Sequence, residues 1–361
     1  MADDVLLDAL DRLRDTGPEF GGFLANHGPM AAEALTRIGG ADAVPGWVDG
    51  YRTRLLPAPE VIRGIGTDWR EHLGDERLFG DWTAHLRRDA QEMSWRELLL
   101  LWWPRLLPGL AASATHGVIR VAHAVRSLRS AGDRPDPLLV DELAQGLGFW
   151  AARYQTVPGN PGLDGPLDAV SATTRLPRLD PAEPSDGPGV GGRLRNVDRL
   201  PGLPAALDAW GPAQRPDASA PSPDEVLDEL IGAAARVLAA RSDAPIAFCH
   251  AVTAPAAVRL VLPELPVELQ RSSVVVSWQA VGAIVAAFAA PRLSTEADAA
   301  ALVGDAAPDT VVASLQARSI EHGDEHVIKL TEAAGREFRR TGDTTLLVAA
   351  DRFRDRVPPA G

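Results

Sequence analysis

DDVLLDALDRLRD, residues 3 to 15, places Val5, Leu6, Ala9, Leu10 and Leu13 at intervals of three and four, with charged residues between them. That spacing lays one apolar stripe along a helix of 3.6 residues per turn, and a strand of period two would scatter it over both faces. Similar stripes recur over residues 29–38, 93–103, 114–129, 137–154, 224–241, 273–290, 309–320 and 324–339. No series of alternating strands competes with them. The spacing predicts an all-α fold.

Between Thr156 and Pro223 the helical spacing lapses. Thirteen of the chain's thirty prolines and nine glycines fall there, and proline and glycine are the strongest local breakers of a helix. A connection this long serves as a lid, a wrapping loop or a linker. We read residues 1–361 as a single large helical domain, with 156–223 an irregular Pro/Gly-rich insertion crossing it. GPGVGG (187–192) formally matches G-x-G-x-x-G, but the sequence predicts neither a strand before it nor a helix after it, so a dinucleotide site is not expected.

The net charge of −13 and the pI near 5.1 argue against nucleic acid or an anionic membrane as main partner. Cys249 is the only cysteine, so no internal disulfide exists and a reducing compartment suits the chain. The opening residues are acidic and amphipathic, without the basic start and apolar centre of a signal peptide. Two apolar runs stand out: 98–112, interrupted by Pro104, Arg105 and Pro108, and 274–290, which is 17 residues long and contains Ser277 and Gln279. Both are short of a membrane span. A soluble cytoplasmic protein is expected; the oligomeric state is left open.

Lys329, in EHGDEHVIKL (321–330), is the only lysine among 36 strong cations. Arginine stays protonated in proteins, whereas the lysine amine shifts its pKa on burial and can act as a base, form a Schiff base or take up CO2 as a carbamate. Lys329 is thus either a compositional accident or a position where an amine is needed.

Six of the eight histidines fall in four compact settings: NHGPM at His27, THGVIRVAH at His116 and His123, FCHAVTAP at His250, and EHGDEH at His322 and His326. His72 and His85, flanked by charges, read as solvent-facing helix positions. Asn26-His27-Gly28-Pro29 looks like a helix start, since proline suits the first turn. Thr253-Ala254-Pro255 offers a second start, leaving His250 in the last turn before it or at a proline kink. Asp324 can cap a helix that puts His326 and Lys329 on one face, with His322 in the turn before. His116, Arg120 and His123 share one helix face. Each histidine alone reads as well as a structural imidazole; together, four segments can meet at one polar centre, and imidazole suits iron, zinc, copper and nickel. The H-E-x-x-H, paired E-x-x-H, C-x-x-C and G-x-S-x-G patterns are absent, which disfavours zincin, di-iron, cysteine-metal and serine hydrolase templates. Cys249 reads as a buried, inert thiol. A histidine-rich mononuclear site remains.

NHGPMAAEAL, HGVIRVAHAVRSL, CHAVTAPAAVRL and DEHVIKLTEA, in that order and spacing across about residues 20–340, resemble the questin oxidase-like family. The resemblance implies a mostly helical oxidoreductase that opens an aromatic polyketide quinone with O2, by a Baeyer-Villiger-type or C–C cleaving reaction. It implies mononuclear non-haem Fe(II), with NADPH as an external reductant. It also implies a ligand set of His27, His116, His250, His326 and a carboxylated Lys329. His322 and His123 compete for two of these places; helix geometry beside Lys329 favours His326, and motif position favours His116. Fungal members carry further histidines where this chain has Met30 or Ala31 and Arg120, which implies different substrate or redox handling.

Two other readings stand beside it. One is a metal-dependent hydrolase in which a carbamylated lysine bridges two ions. The other is a non-catalytic helical binding protein with structural histidines. Trp102, Trp103 and Trp278 read either as pocket lining or as plain core.

Overall fold

The computed structural model describes residues 2–212, 220–240, 244–288 and 307–360. Residues 213–219 of the Pro/Gly-rich segment, residue 241 and residues 289–290 of the expected helices lie outside them. Among the described residues there are sixteen α-helices, short 3-10 turns and one two-stranded sheet. The fold is all-α. It divides into two compact units: Met1–Thr156 with Leu260–Pro266, and Val157–Arg259 with Val267–Gly361.

The first unit contains α1 (Ala2–Leu13), α2 (Gly28–Arg37), α3 (Val44–Arg52), α4 (Phe79–Glu92), α5 (Trp95–Leu106), α6 (His116–Ala131) and α7 (Pro137–Ala152), with an antiparallel pair β1 (Glu19–Phe20) and β2 (Leu24–Ala25). Helix α7 packs against α6 and α4, and α2 packs against α1, α3 and α6. Four fully buried tryptophans form the centre: Trp82 meets Trp102 edge-on at 5.7 Å, and Trp103 meets Trp150 edge-on at 5.3 Å. Trp102 donates its indole N–H to Asp89 (2.9 Å) and Trp150 to the Gly109 carbonyl (2.9 Å), so their burial strands no donor. Arg120 on α6 makes a buried two-pronged bond to Glu142 on α7, at 2.6 and 2.7 Å.

Gly117 sets how closely α6 approaches α7. A Cβ placed there would lie 2.8 Å from Trp150 Cβ and 2.9 Å from its Cα, and the latter is backbone that cannot turn aside. Gly117→Ala is therefore expected to force the helices apart and cost about 1–3 kcal/mol. An unchanged urea midpoint would refute that.

The second unit contains three short helices, α8 (Ala169–Arg175), α9 (Gly189–Arg195) and α10 (Leu203–Leu207), then α11 (Pro223–Ala240), α12 (Pro245–Val261, its last two residues counted with the first unit), α13 (Val267–Ala287), α14 (Pro308–His322), α15 (Glu325–Thr341) and α16 (Thr345–Arg356). Helix α16 packs on α11 and α15. Arg259 of α12 reaches Asp224 and Asp228 of α11 and Glu337 of α15 at 2.7, 2.7 and 2.8 Å.

Within the second unit, the described part of the Pro/Gly-rich segment packs on α13. Gln279 of α13 donates to the carbonyls of Val157 (2.5 Å) and Gly159 (2.7 Å), Leu179 N–H donates to the Ala286 carbonyl (3.0 Å), and Trp210 packs edge-on against Trp278 at 5.1 Å. Its short helices were not expected, because each is too brief to show a period. One of them, α9, begins inside GPGVGG, so a helix does follow those glycines; no strand precedes them among the described residues.

Other expectations are corrected. Thr253-Ala254-Pro255 starts nothing: α12 runs through Pro255, and His250 lies in its interior. The stretch Pro245–Glu264 is long and apolar enough to cross a membrane, but 89% of that window is buried inside the protein, as in a core helix. His85 is packed edge-on against Trp82 and Trp102 at 6.0 and 5.6 Å, and His72 Nδ1 takes a bond from Arg63 at 3.2 Å. Both are half-buried instead of fully solvent-facing. Trp102, Trp103 and Trp278 are fully buried core.

Candidate metal centre

In the first unit the chain enters α2 through Asn26-His27-Gly28-Pro29. The side-chain capping is done by Asn26, whose Oδ1 accepts from Gly28 N–H (2.9 Å) while its Nδ2 donates to the Gly17 carbonyl (2.9 Å) and Thr16 Oγ1 (3.0 Å). His27 is the N-cap residue, but its imidazole takes no part in the cap. Its backbone N–H donates to the Tyr51 hydroxyl at 2.8 Å. Pro29, in the first turn, lacks an N–H that would have had no helical partner.

His116 is the first residue of α6 and follows Ser113, Ala114 and Thr115, at φ 46°, 56° and 72°. Three successive left-handed residues without a glycine are strained, roughly 1–2 kcal/mol each. His116 Nδ1 lies 2.5 Å from the Ser113 carbonyl; a carbonyl oxygen only accepts, so Nδ1 carries the proton and, in the neutral ring, Nε2 keeps the lone pair. The rings of His27 and His116, both buried, have centroids 4.5 Å apart, and a ring nitrogen of one lies within 4.8 Å of one of the other. Two nitrogens each about 2.1 Å from one ion stand about 3 to 4.2 Å apart, so a pair within 4.8 Å needs at most a small adjustment to share one.

In the second unit Gly323, at φ 75°, ends α14, and Asp324 immediately caps α15, accepting from His326 N–H (2.9 Å) and Val327 N–H (3.0 Å). The cap anticipated at Asp324 is thus present. It fixes the first turn of α15, from which His326 meets His250 edge-on at 5.7 Å between centroids. Lys329, one turn further along α15, is 3% exposed, and its Nζ has no hydrogen-bond partner among the described residues. Burial pushes its amine down to about 8, against the pull of Glu325 and Asp324. Burial likewise pushes the Cys249 thiol up to about 12, which makes it an inert core thiol at neutral pH.

Thus His27 and His116 come together within the first unit, and His250 and His326 within the second, with Lys329 on the same helix as His326. The two competitors have other partners. His123 shares Glu33 at 2.8 Å, and His322 Nε2 donates to the Val357 carbonyl at 3.0 Å. The sequence reading missed the left-handed turn before His116 and the carboxylate company of His326: donor atoms of Asp324, Glu325 and His326 all lie within 4.8 Å of one another. The DEH triplet was visible in the sequence, but Glu325 gave no sign there that it would be buried.

The residues fit a metal ion. Imidazole rings are paired in each unit, and a buried amine that can become an anionic oxygen donor lies one helical turn from His326. No model of a known protein family matches the chain, and no curated protein matches it.

Proposed function

We propose that His27, His116, His250, His326 and a carbamylated Lys329 hold one mononuclear non-haem Fe(II), and that the protein is a soluble cytoplasmic oxidoreductase of the questin oxidase-like kind. The observation that carries the reading is the single lysine: buried, without a hydrogen-bond partner for its amine among the described residues, and one helical turn from His326. An ammonium so placed is a standing cost to the fold. With the amine pushed down to about 8, an appreciable neutral fraction exists near physiological pH. Its lone pair can attack CO2: an N–C bond forms, one proton leaves the nitrogen for solvent, and the product is a carbamate with one negative charge. Near the carboxylates of Asp324 and Glu325 that anion calls for a cation. Imidazole nitrogens with one hard oxygen form a mixed donor set that suits Fe(II).

When bound, the iron would supply activation of O2. The chain's own groups orient and seal the site: Ser113 fixes the ring of His116, Asp324 fixes the turn that carries His326, and the buried setting of His250 and Lys329 keeps bulk water away. The finer reading, oxidative ring cleavage of an aromatic polyketide quinone with NADPH as external reductant, rests on the four ordered motifs.

Metal content decides. Protein loaded anaerobically with ferrous iron and bicarbonate is expected to retain one iron per chain after desalting. Two divalent ions per chain would point to the bridged hydrolase, and none to a binding protein with structural histidines.

A further inference from the structure

We propose that the left-handed turn Ser113–Ala114–Thr115 is a positioning device for His116, which locks the ring in its Nδ1–H tautomer so that Nε2 is the nitrogen offered to a metal. The inference rests on the metal reading above, and deepens it at one ligand.

The turn is not what local preference would choose. All three residues have φ between 46° and 72°, a region that glycine or asparagine enters readily and alanine, serine and threonine do not. The chain has 33 glycines and places none here. Such a conformation persists only where its surroundings over-determine it, and here they do. The Ser113 hydroxyl hydrogen-bonds the Glu19 carboxyl, and Glu19 is held in turn by Arg153 at 2.8 Å. Ala114 and Thr115 are buried, and Thr115 N–H returns to the Ala111 carbonyl at 3.4 Å. The product of this clamp is a carbonyl aimed at a ring: Ser113 O receives both the His116 backbone N–H (3.3 Å) and His116 Nδ1 (2.5 Å).

An imidazole that donates one N–H to a carbonyl is fixed in tautomer and in ring angle, and metal-binding histidines are commonly oriented in this way. Glycine in the turn would relax φ, but it would also let the Ser113 carbonyl wander. Non-glycine residues give a stiffer turn, because each has fewer conformations to visit. Stiffness at the expense of strain is useful only if the ring direction matters.

The test uses the double variant Ala114→Gly/Thr115→Gly, which leaves Ser113 and its bond to Glu19 in place. Three quantities are read: the thermal midpoint of the metal-free protein, the tautomer of His116 by long-range 1H–15N correlation at alkaline pH in that same metal-free state, and the iron dissociation constant by chelator competition. Wild type is expected to show a single Nδ1–H tautomer. The variant is expected to keep or raise its midpoint, to show a mixture of tautomers, and to bind iron about tenfold or more weakly.

A wild-type His116 in the Nε2–H form or as a mixture overturns the inference without reference to metal. So does a variant that keeps both the single tautomer and full iron affinity. If the tautomer behaves as expected but neither wild type nor His116→Ala differs in a negligible iron content, the metal reading has failed and the inference falls with it; the intact tautomer result tells that failure from the first. Should the double variant not fold, Thr115→Gly alone is read in the same three ways.

Discussion

Lys329→Met is expected to abolish iron binding and, in the same molecule, to stabilise the metal-free protein at neutral pH. Methionine fills a similar volume without an amine, so it removes both the carbamate and the buried charge. Burial holds the folded amine at about 8, below its unfolded value of roughly 10.4. Between those values the unfolded chain binds more protons, so the stability of metal-free wild type rises with pH there. Below about pH 8 the penalty is complete, on the order of 3 kcal/mol at about 1.4 kcal/mol per pH unit. The variant should therefore exceed the metal-free wild type by that amount at pH 7, and the gap should close towards pH 10. Urea titrations across this range, with CO2 excluded, measure it; equal stabilities at pH 7 would show that Lys329 is not a buried charge. Lys329→Arg should lose iron by at least about 100-fold, since changes in supporting groups alone cost 10- to 100-fold. Guanidinium cannot form the carbamate. Lys329→Ala supplemented with a short-chain carboxylic acid should recover part of the binding. An arginine variant with full iron content would make the lone lysine a compositional accident.

Glu33→Ala should cost about 1–3 kcal/mol, because it leaves the buried His123 and the half-buried Arg126 without their acceptor. Glu33 is 2% exposed and accepts from Arg37, one turn along α2, and from Arg126 and His123 of α6, each at 2.8 Å. Burial by itself would push its carboxyl up, but Arg126 and then His123 outweigh burial and hold it well below the usual carboxylate range. The folded value being depressed, this stabilisation is present above the unfolded value of roughly 4.3 and disappears as pH falls through the folded one. The difference between wild type and variant should therefore be full at pH 7 and shrink only in strong acid. Glu33 also ties α2 to α6, the helices whose first turns carry His27 and His116, so iron affinity should weaken although Glu33 touches neither ring. A loss below about 1 kcal/mol at pH 7 would mean the network is no more cohesive than a surface pair.

Much of the fold could be read in advance because a helix writes its period locally. The stripes at 3–15, 114–129 and 324–339 became α1, α6 and α15 within a turn of their expected ends. Helices α3 and α4 carry no such stripe: Val44–Arg52 contains Pro45, Gly46 and Gly50, and Phe79–Glu92 is rich in charge, so packing overrode weak propensity. In α16 the sequence does carry the signal, with Leu346, Leu347, Ala350 and Phe353 at helical spacing.

The amino-acid sequence by itself determined the helical class, the cap at Asp324, the helix start at His27 and the singularity of Lys329. Each is a property of residues within one or two turns of each other, or of composition alone, and the backbone physics that sets them is short-ranged. Tertiary structure decided the rest. It ran α12 through Pro255, set a half-buried His85 edge-on to two tryptophans, brought the His27 ring against that of His116 and turned His250 against His326. It also held Ser113, Ala114 and Thr115 in a conformation that their own side chains disfavour. None of these could be read locally, because each is settled by contacts between residues far apart in the chain, and such contacts leave no period in the sequence.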